Sequence, residues 1–295
     1  MNINDIDLLA SYWTIAGDTY PGAPSEVSPF PLRERAEVAS SVGWRGLGLV
    51  HADIVDSIQK LGLPTVKSIF ADNDIKHVEL EFLVDWHLDD PRRAAADTMF
   101  SELLDIGSEL AVKKIKLGGG VFEEGEPDLP RMRDAFAAIC DKAAPRNIDI
   151  VVEFLPFASI NTIDRGLALV DGLDNTNGGL LVDLWHVARG GMSFDEIAKI
   201  PLNRLLAVEL NDADEQIVES LFNDSTHHRK QCGEGELDVP AFIQAILDTG
   251  YRDYWGVELI SAELRKLPLE VAARRVFETT MRQFEQVRFP SGEAI

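Results

Sequence analysis

Four acidic residues stand at the ends of four short apolar runs. They are Glu153 in Asp-Ile-Val-Val-Glu-Phe, Asp183 in Gly-Leu-Leu-Val-Asp-Leu-Trp-His, Glu209 in Leu-Leu-Ala-Val-Glu-Leu-Asn-Asp and Glu258 in Tyr-Trp-Gly-Val-Glu-Leu-Ile. A carboxylate in such a place is costly to bury unless it is paired, protonated or bound to a metal. One alone has ordinary explanations, a helix cap or an arginine partner. Four of them, spaced by 30, 26 and 49 residues, read as strands converging their carboxylates on one point. A hard or borderline divalent cation is the simplest partner that holds them together. Glu153, Asp183, Glu209 and Glu258 are therefore the candidate metal ligands.

The elements that must carry these acids follow from periodicity. Runs buried on both faces, rich in β-branched residues or leucine, alternate with amphipathic stretches along the whole chain. The strands are expected at Leu8 to Ile15, Trp44 to Val50, His77 to Val84, Val112 to Leu117, Ile148–Phe154, Leu180–Leu184, Leu205–Leu210 and Trp255–Ile260. Helices are expected at Leu32–Val42, Ile54–Leu61, Pro91–Ile106, Asp128–Ala144, Ile163–Leu173, Phe194–Ile200, Pro240–Leu247 and Leu267–Val287. Eight β-then-α units predict an α/β fold, a single (β/α)8 TIM barrel occupying residues 1–295 as one domain. An open Rossmann sheet would need a Gly-x-Gly-x-x-Gly turn after the first strand, and none is present.

Composition agrees. The 295 residues are 45% hydrophobic, enough for one large core. No apolar run is long enough to span a membrane, and the acidic N-terminus does not read as a signal peptide. The two cysteines, Cys140 and Cys232, lie far apart and fit a reducing, cytoplasmic setting rather than a disulfide framework. A formal charge of −22 excludes a nucleic-acid partner, which would demand a basic footprint.

The acid-ended strands resemble the xylose isomerase-like TIM barrels, the sugar and sugar-phosphate isomerases and epimerases, over nearly the whole chain. That resemblance implies one divalent metal held by Glu on strand five, Asp on strand six, usually His or Gln on strand seven and Glu on strand eight. Glu153, Asp183 and Glu258 match those positions. Asp183-Leu184-Trp185-His186 is similar to the family's Asp-x-x-His, which implies that His186 touches substrate or assists at the metal. His228-Arg229 ahead of Gly233-Glu234-Gly235-Glu236-Leu237-Asp238 is similar to the Arg…Gly-x-Gly-x-x-Asp stretch, whose arginine grips substrate oxygen. Strand seven departs from the pattern, with Glu209 where histidine is usual. A ring of carboxylates favours Mn²⁺, Mg²⁺ or Co²⁺ over Zn²⁺, and its excess charge calls for a neighbouring cation, Arg229 or Lys116.

The implied chemistry is removal of a weakly acidic C–H proton beside a carbonyl, with the metal stabilising the enediolate. Glu153 and Glu258 form the expected catalytic pair, one on each face of the substrate. His186, Arg229 in its polar loop on the mouth side, Lys116 at the end of strand four and Trp185 as an apolar wall are expected to bind substrate. Trp13, His51 and His87 are weaker candidates for the mouth. The leading expectation is an isomerase or epimerase of a small sugar, ketose or hydroxy-acid in carbohydrate metabolism. The alternative is a lyase dehydrating an inosose- or dehydroshikimate-type keto-polyol through the same enolate. An endonuclease acting at abasic sites on the same barrel would need several zinc ions, a basic groove and more than six histidines. A non-enzymatic binding protein is conceivable only because of strand seven. The long final helix and the barrel flanks suit a homo-oligomer.

Overall fold

The eight apolar runs form eight parallel strands that close on themselves in sequence order. They are β1 (Leu8–Ala10), β2 (Gly46–Val50), β3 (His77–Leu83), β4 (Lys114–Gly118), β5 (Asp149–Glu153), β6 (Gly178–Asp183), β7 (Leu205–Leu210) and β8 (Trp255–Val257). A computed structural model describes residues 2–123 and 125–289. Met1, Glu124 and residues 290–295, and with them both ends of the expected 1–295 domain, lie outside the described residues.

Helices α1 (Tyr12–Ile15), α2 (Leu32–Val42), α3 (His51–Leu61), α4 (Leu63–Asp72), α5 (Arg92–Leu110) and α6 (Leu129–Ala143) follow the first four strands and the barrel's midpoint. Helices α7 (Ile163–Val170), α10 (Val239–Asp248) and α11 (Leu269–Phe284) follow later strands, and the short α8 (Leu184–Arg189) and α9 (Leu221–His227) follow the ends of β6 and β7. None is long and apolar enough to cross a membrane among the described residues. The main core lies between strands and helices, where Ile115, Leu117, Ile150, Val152, Leu180 and Val182 meet Phe136, Ile163 and Leu169. Each such side chain contributes roughly 1.5–3 kcal/mol by leaving water.

Strand alternation decides what faces inward. In β4, Ile115 and Leu117 pack outward, so Lys114 and Lys116 project into the barrel, where both are buried. In β3, Glu79 and Glu81 do the same. A small apolar cluster of Val151, Leu181 and Ala207 joins them there. The barrel interior is therefore unusually polar, and it has to be satisfied internally.

Three expectations are corrected. The first strand ends at Ala10, and Tyr12–Ile15 is a turn of helix. Its cause is Thr14, whose Oγ1 donates to Val257 O (2.7 Å) and accepts from Leu259 N–H (2.9 Å), pinning the turn across the end of β8. Leu63–Asp72 forms a helix that was not expected, started by Pro64 in its first turn. Phe194–Lys199 is 3-10 rather than α, with a Ser193/Glu196 capping box at its start.

Candidate metal centre

The register of neighbouring strands places the four acids at one end of the barrel. Asp183 pairs with Glu209 across β6 and β7, Glu153 ends β5, and Glu258 follows β8 by one residue. One ligand atom from each of Glu153, Asp183, Glu209 and Glu258 lies within 4.8 Å of the others, and the same holds for Glu153, Asp183 and His186. All five side chains are buried. Gly256 makes the room beside Glu209, because a Cβ there would come within 2.8 Å of Glu209 Cγ.

Each acid has its own support. Glu209 Oε1 accepts from Lys116 Nζ (2.5 Å) and from Ser11 Oγ. Asp183 Oδ1 caps α8 by accepting from His186 N–H (3.0 Å). Asp183 Oδ2 accepts from Asn211 Nδ2 (2.7 Å) and Arg229 Nη1 (2.9 Å). Arg229 Nη1 also lies 3.1 Å from Glu258 Oε2, while Nε and Nη2 donate to Ser225 O (3.1 Å) and Ser225 Oγ (3.0 Å). Lys116 Nζ further meets Glu79 Oε2 (3.1 Å) and Glu81 Oε2 (3.3 Å). Burial opposes the charge on both cations, but the surrounding carboxylates outweigh it and hold Lys116 and Arg229 above their ordinary pKa.

The carboxylates outnumber these cations. Glu79, Glu81, Glu153, Asp183, Glu209 and Glu258 are buried, against Lys116 and Arg229. Burial accordingly pushes Glu209 up to about 8 and Glu258 well above the usual carboxylate range. Glu153 Oε1 and Glu209 Oε2 are buried without any hydrogen-bond partner. His186 Nε2 approaches Glu153 Oε1 to 3.0 Å, yet without the alignment of a hydrogen bond. Unpartnered buried oxygens are expensive, and these belong to a cluster that one cation could bridge. The donor set therefore fits a divalent ion, with Glu209 offering Oε2 while Lys116 and Ser11 hold Oε1.

Above this cluster opens a cavity of about 450 Å³, within the range of small-molecule sites. Glu153, Glu258, His186 and Arg229 line it, and Asp183 and Glu209 lie beneath. Two expected substrate contacts do not reach it. Trp185 is wholly buried behind the site, edge-on to His186 and 5.4 Å from the Arg229 guanidinium. Lys116 is consumed by Glu79, Glu81 and Glu209. Arg229 lines the cavity but is no surface-loop residue: only 1% of it is exposed.

Trp13 and His51 line the cavity, whereas His87 is buried elsewhere against Glu123 (3.0 Å). Cys232 sits behind the site with its thiol pushed up to about 12 by burial. Sequence reasoning missed Glu81, Ser11, Asn211 and an aromatic group on the cavity wall, Phe82, Phe122, Phe157 and Phe222. Glu81 left a signal, since His77, Glu79 and Glu81 alternate along β3 as inward-facing residues must.

Comparison with known proteins places the chain. An inosose isomerase of Bacillus licheniformis is 27% identical over 150 residues, 50% of this chain and 53% of that protein. The match thus spans about half the length of that relative. A 3-dehydroshikimate dehydratase of Pseudomonas aeruginosa is 26% identical over 179 residues, 60% of this chain and 27% of that protein. The crystal structure of the IOLI protein with a bound zinc atom superimposes with a TM-score of 0.84 at 19% identity, covering 95% of this chain and 99% of that one. A sequence profile described as xylose isomerase-like TIM barrel matches residues 36–282. The chain belongs to the xylose isomerase-like TIM barrel family.

Proposed function

We propose that this protein is a divalent-metal-dependent isomerase or epimerase of a small hydroxy-ketone. The observation that carries the reading is the placement of Glu153 and Glu258. They arise from β5 and β8, three strands apart around the barrel, and both line the cavity. Their carboxylates therefore reach a bound molecule from different sides, as a base and an acid on opposite faces must. Bound by Glu153, Asp183, Glu209 and Glu258, the cation would polarise a carbonyl oxygen and lower the acidity barrier of the neighbouring C–H. Glu153 and Glu258 exchange a proton with that carbon. His186 faces the cavity within reach of substrate oxygen, and Arg229 holds Asp183 and Glu258 in place.

The zinc in the similarly folded IOLI protein supports a divalent ion here. The all-carboxylate set of strand ends favours an oxygen-preferring ion such as Mn²⁺, Mg²⁺ or Co²⁺. A dehydratase is the second reading, supported by the Pseudomonas relative; it shares the proton abstraction and adds loss of a β-hydroxyl. Incubation of the protein with a panel of hydroxy-ketones in deuterated water tests the reading. Deuterium should enter the carbon beside the carbonyl, with an isomer as product. Absence of exchange across the panel, with metal bound, would contradict it, and loss of water would select the dehydratase.

A further inference from the structure

The cavity's walls and its floor ask for different chemistry. Its floor carries Glu81, Glu153, His186, Arg229 and Glu258. Its wall is aromatic. Phe122 from the loop after β4, Phe157 from the loop after β5 and Phe222 from α9 form a closed trio. Their ring centroids are 5.7 Å apart for Phe122 and Phe157, 5.0 Å for Phe122 and Phe222, and 5.7 Å for Phe157 and Phe222. The trio continues to the floor through Phe157, 6.2 Å from the His186 ring. Phe122 is held in the open, 60% exposed and with φ at +60°, by its N–H donating to Phe157 O (3.0 Å). A large apolar ring kept exposed on left-handed backbone is an arrangement that folding alone does not favour.

Three polar groups on the upper walls already spend an atom on a protein partner. Glu26 Oε1 accepts from Gly22 N–H (2.8 Å), Thr226 Oγ1 donates to Phe222 O (2.8 Å), and His51 Nε2 faces Glu102 Oε2 (2.6 Å). A polyol chain laid against the phenylalanines would find no donor or acceptor on those rings for its hydroxyls. The wall's own charge excludes another class. Glu26 is the acidic side chain there, and a phosphate or carboxylate on the part of the substrate that lies against the wall would meet repulsion.

We propose that the cavity selects an uncharged hydroxy-ketone whose body is an apolar ring, seated with its reacting end on the carboxylate floor and its ring against Phe122, Phe157 and Phe222. The assignment of the reacting end rests on the reading under Proposed function; the selection for an apolar, neutral body rests on the wall alone.

Calorimetric titration of the protein as purified, with 2-hydroxycyclohexanone, fructose and fructose 6-phosphate as probes, tests this. The ring ketone should bind at least about tenfold more tightly than either sugar, the scale set by a few buried methylenes. Phe122→Ser, at an exposed position, and Phe222→Ser should each cut that preference by about threefold or more, with circular dichroism confirming that the variants are folded. Equal or tighter binding of fructose or its phosphate, no binding of the ring ketone, or a preference unchanged in folded Phe122→Ser would overturn the proposal. Deuterium exchange measured on the same probes separates the two readings. Preferred binding of the ring ketone without exchange would contradict the isomerase reading and leave the selection standing. Exchange on fructose with no preference for the ring would do the reverse.

Discussion

The barrel interior holds two polar layers, and they differ in how completely they are satisfied. In the lower layer every charge named here has a partner. Lys114 Nζ meets Asp253 Oδ2 at 2.9 Å and lies 3.8 Å from the Tyr254 ring centre. Tyr254 Oη donates to Glu79 Oε1 at 2.8 Å, and His77 faces Asp7 at 3.0 Å. In the upper layer, at the strand ends, Glu153 Oε1 and Glu209 Oε2 are buried without a hydrogen-bond partner, whereas Asp253 below is 50% exposed. The lower layer is carried by β3, β4 and the residues just before β1 and β8, the upper by β5, β6, β7 and the residue just after β8. Their difference teaches that folding alone can satisfy inward-facing charge in this barrel, so the charge left unsatisfied at one end is retained for something that binds there.

Substitutions should divide along the same line. The largest effect is expected at the upper layer: Glu153→Gln or Glu258→Gln should lower deuterium exchange into substrate by on the order of 10²- to 10⁴-fold. Asp253→Asn in the lower layer should leave exchange unchanged. Equal losses at both layers would dissolve the contrast. Arg229→Ala should cost about 3–5 kcal/mol in urea unfolding of metal-stripped protein, because it leaves Asp183 and Glu258 buried beside each other without their shared cation. A loss of only a few tenths would mean that the guanidinium serves substrate rather than the ring of acids.

A smaller effect comes from pH. Burial lifts the Glu209 carboxyl from an ordinary 4.5 to about 8, so the folded protein prefers it protonated. The stability this supplies is present below the unfolded value and is lost as pH rises towards about 8. In metal-stripped protein, Glu209→Gln should therefore gain in melting temperature relative to the parent as pH rises across that window. Adding Mn²⁺ should reverse the order, since the cation rewards the ionised carboxylate. A difference that stays flat with pH would place the proton elsewhere.

The acids were legible because each ends a run that is apolar on both faces, and a charge inside such a run stands out. The barrel was legible for the same reason. Other features left no local trace. Leu8 to Ile15 is apolar but for Ser11 and Thr14, so periodicity could not show that Thr14 turns the chain across β8. Lys116 was visible as an inward residue, but its consumption by Glu79, Glu81 and Glu209 depends on two other strands, β3 and β7. Trp185 and His186 are neighbours in sequence, yet His186 lines the cavity and Trp185 does not, a difference that no spacing marks. The phenylalanine trio comes from three separate loops and helices, with no spacing to mark it.

The central claim is that the unsatisfied carboxylates of β5 to β8 hold one divalent cation. Titrating chelator-stripped protein with Mn²⁺, followed by electron paramagnetic resonance of the free ion, tests it most directly. The account predicts saturable uptake near one ion per chain, weakened on the order of tenfold or more by Glu153→Ala and unaltered by Asp253→Asn. Absence of uptake, or uptake that Glu153→Ala leaves intact, would contradict it.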